Sequence, residues 1–315
     1  PRSYYAEIVD QINKGGGKVV GIDLILFEPD EKQPENDALF AKALEESSSS
    51  VAVMQINKTG GEGYETETLS QHLSAYRAVL DGMGITEIKR DEDAIVRNIT
   101  AYSMYQGQAY PHWAFEIAKL YLNVDEPFFS SSGVQFNGHT IPLQTTDFPI
   151  YFAGPAGTYT TYSASDVHDG ITLEQNPDAF RGKIVLLGVT TITLQDLHPT
   201  PFSATKLTPG VEIVANAVDT IINGKFMTYA PPWLALLLTI VAAGAAYLIT
   251  LSKRPSFTLT ALGISILLYL VIAYFIFYSQ RYVLPTTAPI VMLFLGVILP
   301  TLEQAVSQEQ EKRRV

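Results

Sequence analysis

Residues 231–252, PPWLALLLTIVAAGAAYLITLS, open the region that decides how this chain is built. Two more apolar runs follow, PSFTLTALGISILLYLVIAYFIFYSQ at 255–280 and YVLPTTAPIVMLFLGVILPTL at 282–302. None of the three contains Asp, Glu, Lys or Arg. Each is close to the roughly 20 residues a helix needs to cross the hydrocarbon core of a bilayer. Their apolar residues run all round the helix, whereas a helix packed on a soluble core keeps them to one stripe. The sequence therefore predicts three transmembrane helices within 229–302. A large domain, 1–228, precedes them, and a charged, helix-favouring stretch, 303–315, follows.

Lysine and arginine near the ends of the spans set orientation. With three spans, Lys253, Arg254, Lys312, Arg313 and Arg314 share one side, and Lys225 and Arg281 share the other. This bias predicts a cytoplasmic C-terminus, with 1–230 outside, in a periplasm or at a cell surface. Tyr229, Trp233, Tyr278 and Tyr282 would then form the outer aromatic belt. A domain of that size does not cross a membrane unaided, so an apolar segment is expected upstream of Pro1. The spans carry no ionisable residue, which disfavours a transporter or ion path. The run Ala242–Ala246 suits close helix packing.

The outer part is acidic. Residues 1–230 hold 15 Lys and Arg against 29 Asp and Glu. Such a surface excludes nucleic acid as a partner and disfavours docking on anionic lipid. With no cysteine in the chain, disulfides and thiol chemistry are absent.

Along the outer domain, Tyr5, Ile8, Val9 and Ile12 recur at helical spacing, and Gly15-Gly16-Gly17 stops that helix. KVVGIDLILFE (18–28) reads as a buried strand. DALFAKALEES is a helix with Asn36 as its N-cap, and VAVMQI (51–56) a second strand. Helix–strand–helix–strand is the signature of a sheet covered by helices. Residues 57–90 are weakly patterned, with one helix expected around 69–80. AIVRNITAYSMY (94–105) reads as a strand, HWAFEIAKLYL (112–122) as a helix, and Asn137-Gly138 as a hairpin turn. FPIYFAG (148–154) and 183–189 read as strands, and 211–224 as a helix leading to the first span. The predicted fold class is α/β, layered with a mixed sheet, plus an all-α three-helix transmembrane bundle.

These residues also carry a resemblance. PRSYYAEIVDQINKGGGKVVGIDLILFEPD (1–30) resembles the opening of the second type of CHASE domain, an extracytoplasmic sensor of bacterial cyclases and kinases. DEDAIVR (91–97), SASDVHDG (163–170), GKIVLLGVTTITLQDLHPTPF (182–202) and PGVEIVANAVDTIING (209–224) continue it, followed by three closely spaced spans. Ala94 stands where such families show Gly, and Val214 where they show His. The resemblance implies a sensory and signal-transducing part of a receptor that controls a cytoplasmic adenylate/guanylate cyclase or a kinase, working as a homodimer. A family chain would also begin with a span and a first strand ahead of Pro1. A surface adhesion protein with a helical anchor is the alternative from another class.

Candidate site residues follow from chemistry and position. Asp23 is a carboxylate inside an apolar strand, costly to bury without a partner. Asp196, His198 and Thr200 lie beyond the strand at 183–189, where open α/β sheets bind ligands. Arg97 offers a fork of donors to an anion, or else pairs with Asp23, Asp91 or Asp93. Asn216, mid-helix before the membrane, is expected to bond the 190–208 loop and couple it to the first span. Asp166, His168 and Asp169 read as turn and cap residues, and Glu28 and Asp30 as a solvated loop. No G-x-S-x-G, Walker loop or H-E-x-x-H occurs, so no catalytic residue is expected. The sequence leaves the cofactor unknown and assigns no dedicated metal site, although Asp and His two apart, as at Asp196 and His198, can bind a metal or a polar ligand. Its expected partners are the lipid bilayer, a second copy, and an unidentified small-molecule or ion signal.

Overall fold

The computed structural model describes the chain except residues 62–63, 131–132, 191–195, 205, 253 and 315. Two compact units divide it, Pro1–Phe226 and Met227–Val315. The first begins with α1 (Arg2–Lys14), β1 (Val19–Ile22), α2 (Glu35–Glu45), β2 (Ser50–Gly61), β3 (Tyr64–Ser70), α3 (Ser74–Arg77) and β4 (Gly82–Ile85). Next come β5 (Asn98–Thr100), β6 (Tyr102–Tyr105), β7 (Gln108–Pro111), α4 (Trp113–Leu122), β8 (Phe128–Ser130), β9 (Gly133–Phe136), β10 (His139–Ile141) and β11 (Asp147–Pro149). It closes with α5 (Ala164–His168), α6 (Ile171–Gln175), β12 (Ile184–Leu187), β13 (Leu197–His198), β14 (Thr208–Pro209) and α7 (Gly210–Ile222).

The central sheet has the order β4-β2-β1-β12, with every neighbour parallel. Strand residues alternate between its two faces. Val20, Ile22 and Ala52 face α1 and α2 and pack on Ile8, Val9, Ile12, Phe40 and Leu44. Val19, Val51 and Val53 face the other way and pack with Trp113 and Ile117 of α4 and Ile213 and Ala217 of α7. This is a three-layer α/β sandwich. Beyond the parallel core, β3 runs antiparallel to the far half of β2, from Gln55↔Ser70 to Gly61↔Tyr64, which makes the sheet mixed. The chain steps from β1 to β2 to β4 in one direction, then returns to place β12 on the other side of β1. The strand order thus reverses between β1 and β12.

Several local expectations change. Of the helix expected around 69–80 only one turn, α3, forms, and residues 69–70 instead end strand β3, which starts at Tyr64. Its alternation YETETLS is polar on both faces, which suits a solvated hairpin arm and masks the strand period. The strand expected at 18–28 leaves the sheet after Ile22. The one expected at 94–105 is broken: β5 pairs with β11, whereas β6 folds back on β7. Of the strand expected at 148–154 only 148–149 are paired as strand, within β11. Pro34 is the N-cap of α2, and Asn36 instead turns back to Asp30 Oδ2 (3.2 Å) and Gln33 Oε1 (3.0 Å). The Asn137-Gly138 turn is formed, with φ of 48° and 75° joining β9 to β10. Both central residues are left-handed, as a tight hairpin of this kind requires.

The second unit holds β15 (Thr228–Tyr229), α8 (Pro232–Thr250), α9 (Pro255–Gln280), β16 (Tyr282–Val283) and α10 (Thr287–Arg314). All three helices are long and apolar enough to cross a membrane. Most of their large side chains, such as Leu236, Leu248, Leu267 and Phe275, point outward. That is the pattern of helices solvated by lipid. Inside the bundle Ala242 and Ala246 pack on Leu262, Leu293 and Val297. A Cβ on Gly296 would lie 2.9 Å from Ala246 Cβ, so α8 and α10 approach closely there. Gly244 faces open space, so the small-residue run packs through the i, i+4 pair Ala242 and Ala246, with Ala245 partly buried beside them. β15 pairs with β16, so the chain entering α8 and the chain leaving α9 meet at one end of the bundle.

Candidate functional site

β1, β2, β4 and β12 are parallel, so their carboxyl ends share one edge of the sheet. A cavity of about 340 Å³ opens there, lined by Asp23, Ile25, Val53, Gln55, Thr86, Ile88, Val189, Asp196 and His198. Asp23 directly follows β1 and Val189 follows β12 by two residues. These are the strands between which the order reverses, the place where open α/β sheets hold ligands. A larger cleft of about 700 Å³, lined by Asn123–Glu126 and Gln135–Thr140 among others, lies away from this edge.

Three sequence-selected residues meet in the smaller cavity. The backbone N–H of Asp23 donates to Leu187 O at 2.8 Å, extending the β1–β12 ladder by one step and fixing where its side chain starts. Among the described residues no donor reaches its carboxylate. Burial, and secondarily the charge of Asp196, push its pKa up to about 7. His198 Nε2 lies 2.9 Å from Asp196 Oδ1, and Arg90 Nη2 lies 3.4 Å from His198 Nδ1. Arginine can only donate, so this arrangement assigns the His198 proton to Nε2, directed at Asp196. Asp196 also rests on the first residue of α7: a Cβ on Gly210 would fall 2.3 Å from its Oδ2. Only glycine leaves that space, and the positive end of the helix favours the carboxylate. Among the described residues no group of three or more His, Asp or Glu side chains is arranged to hold a metal ion.

Arg97 is not brought to the cavity. Its guanidinium bonds Asp91 Oδ2 (2.9 Å) and both oxygens of Asp93 (2.9 and 2.7 Å). These bonds pull the Asp93 carboxyl down to about 2. The turn 91–97 is a self-contained brace whose far end reaches the site, with Val96 N donating to Pro199 O at 2.8 Å. Ala94 in this turn has φ of 65°, a left-handed backbone in which a Cβ is strained. Ala94→Gly is expected to stabilise the outer unit by about 1 kcal/mol, read as a rise in Tm; an unchanged or lower Tm would refute the strain.

Asn216 is buried on α7, and among the described residues its partners lie in segment 153–159 and on α7 itself, not in the 190–208 loop. Its Oδ1 accepts from Ala153 N at 2.8 Å, while Thr220 Oγ1 accepts from Tyr151 N at 3.0 Å. Glu212 accepts from Gly157 N (2.8 Å) and Thr158 N (3.1 Å). The reason is a match of repeats. Four residues of helix advance about 6 Å and two residues of extended chain about 6.6 Å. Side chains at 216 and 220 therefore replace a strand partner for 151–153, whereas Glu212, one helical turn earlier, binds the N–H groups of the turn at 155–158. This polar stripe on an apolar helix is legible at i, i+4, i+8, but its partner is not. Thr200 Oγ1 meets Thr208 Oγ1 at 3.1 Å and ties the β13–β14 turn. His168 bridges Glu7 (2.9 Å) and Asp169 (2.7 Å) and stacks on Tyr4, which joins α5 to α1.

An α/β sandwich with a pocket at its switch point, in a chain with three membrane-capable helices, defines a membrane protein with a large α/β domain outside its spans. Residues 1–249 match the CHASE2 domain, and the chain belongs to that family. No curated protein and no solved structure matches it. CHASE2 is an extracytoplasmic sensor domain, not a catalytic one, so the chain has a transmembrane sensory role.

Proposed function

We propose that this chain is the sensory and membrane-spanning part of a bacterial receptor that controls a cytoplasmic adenylate/guanylate cyclase. One observation carries the reading: the family match ends at residue 249, one residue short of the end of α8. Sensor and first span therefore belong to one family unit, as expected where movement in one is passed to the other. The Lys and Arg of 253–254 and 312–314 favour the cytoplasm for the C-terminal end of α10. That helix continues through Pro300 from its apolar part to Arg314, a helical output for an effector. Cyclases of this class work as dimers, which favours a homodimer in the bilayer. Input enters at the cavity beside Asp23, Asp196 and His198, and α7, whose first turn touches Asp196, leads through residues 223–231 to α8.

The clamp on α7 provides the test. Asn216→Ala removes the acceptor of a backbone N–H, at a cost of about 1–3 kcal/mol. With a nucleotide cyclase catalytic domain fused after residue 315, this change is expected to shift cyclic nucleotide output several-fold at equal membrane abundance. Unchanged output would refute coupling through α7.

A further inference from the structure

We propose that the cavity at the carboxyl edge of the parallel sheet binds a small organic ammonium ion, its charged end at Asp23 and its hydrocarbon body against Ile25, Val53, Ile88 and Val189. This rests on the sensor reading and names the class of signal.

The argument starts from what each wall already has. Asp196 is satisfied by His198 Nε2 at 2.9 Å and sits on the first residue of α7. Asp23, by contrast, meets no donor among the described residues, although it lines the same cavity. A carboxylate withdrawn from water needs a partner, and a bound cation with N–H donors supplies both charge and hydrogen bonds. A bare metal ion fits poorly. Asp23, Asp196 and His198 line the cavity but are not arranged to hold one together, and four of the nine lining side chains are hydrocarbon. An anion fits worse, because two carboxylates face the space and Arg90 is directed at His198 Nδ1 at 3.4 Å. The about 340 Å³ volume lies at the lower end of small-molecule sites, which suits a compact metabolite. Gln55 and Thr86 add neutral polar groups that can orient further N–H or O–H groups of the ligand.

The test uses the full chain in lipid nanodiscs at pH 7.5, titrated with n-butylamine, n-butanol, sodium butyrate and calcium chloride by calorimetry. We expect the amine to bind at least tenfold more tightly than the alcohol or the acid. Asp23→Asn, close in shape, is expected to weaken it tenfold or more, and Val189→Phe, which fills the cavity, to abolish it. Equal binding of the alcohol or acid, calcium binding in place of the amine, or undiminished amine binding by both variants overturns the proposal. The two readings fail separately. A cyclase fusion that responds to Asn216→Ala in a chain that ignores the amine loses only the ligand class. Amine binding in a chain whose fusion ignores Asn216→Ala loses only the signalling route.

Discussion

Asp23→Asn is expected to make the outer unit more stable than the parent at pH 8, and no more stable near pH 4. The sign follows from linkage. In the unfolded chain this carboxyl titrates near 3.8, and in the folded protein burial and Asp196 raise it to about 7. A raised pKa contributes stability that is fully present below the unfolded value and is lost as pH rises through the folded one. Each unit is worth about 1.4 kcal/mol, so the loss across this window is on the order of 4 kcal/mol. Asparagine does not titrate and escapes it. His72 and His112, whose burial lowers them to about 4 and about 3, act in the opposite direction: their stability is present above the unfolded value near 6.5 and is lost on acidification. Both are common to parent and variant, so the difference between the two profiles isolates Asp23. The measurement is Tm of the full chain in detergent between pH 4 and 8. Parallel profiles would show that Asp23 is ionised throughout. Asp196→Asn should shift the parent profile only in part, because burial, the larger cause, remains.

The same carboxylate shows how far the sequence can be read. A charge inside KVVGIDLILF stands out because the residues around it are apolar, and it marks the end of β1 at the sheet edge. Asp196 and His198 stand out because they follow an apolar strand. These signals are local, and the structure unites them. Arg97 misleads for the opposite reason. Asp91, Asp93 and Arg97 satisfy one another within seven residues, and a self-satisfied brace looks in sequence like a set of free charges. Asn216 is recognisable as a tie, but a helix face does not state which extended segment will lie along it. In the membrane unit the signal is strongest, since three charge-free runs permit little else. Which small residues pack is not legible: Ala242 and Ala246 turn inward while Gly244 between them faces out, which depends on the crossing with α10 near Gly296.

The least legible segment, 57–90, contains the point where α4 presses its backbone against the sheet, and it carries the second large expectation. Gly84→Val should prevent the outer unit from accumulating in folded form. Gly82 and Gly84 alternate on β4 and so face the same side, where α4 lies across them. A Cβ on Gly84 would fall 2.4 Å from Trp113 Cα and 2.5 Å from its N. Those are backbone atoms at the first turn of α4, and no rotamer change moves them. The helix would have to lift from the sheet, carrying Trp113, which is fully buried and whose ring edge lies 3.0 Å from a Cβ built on Gly21 of β1. Overpacking alone typically costs about 1–3 kcal/mol, and separating the helix from Val19, Val51 and Val53 adds to it, so a loss above about 4 kcal/mol is expected. Alanine at the same position meets the same atoms and should also be severe. Gly244→Val is the matched control, because nothing lies within 4 Å of its added Cβ and the side faces outward. Membrane abundance and protease resistance of the outer unit measure both. A Gly84→Ala chain with a Tm within about 2 °C of the parent would show that α4 can slide, since that shift corresponds to no more than about 1 kcal/mol. The consequence reaches the site, since Thr86 and Ile88 just beyond β4 form one wall of the cavity. Two glycines in a weakly patterned stretch thus set how closely α4 lies on the sheet and, through the end of β4, where that wall stands.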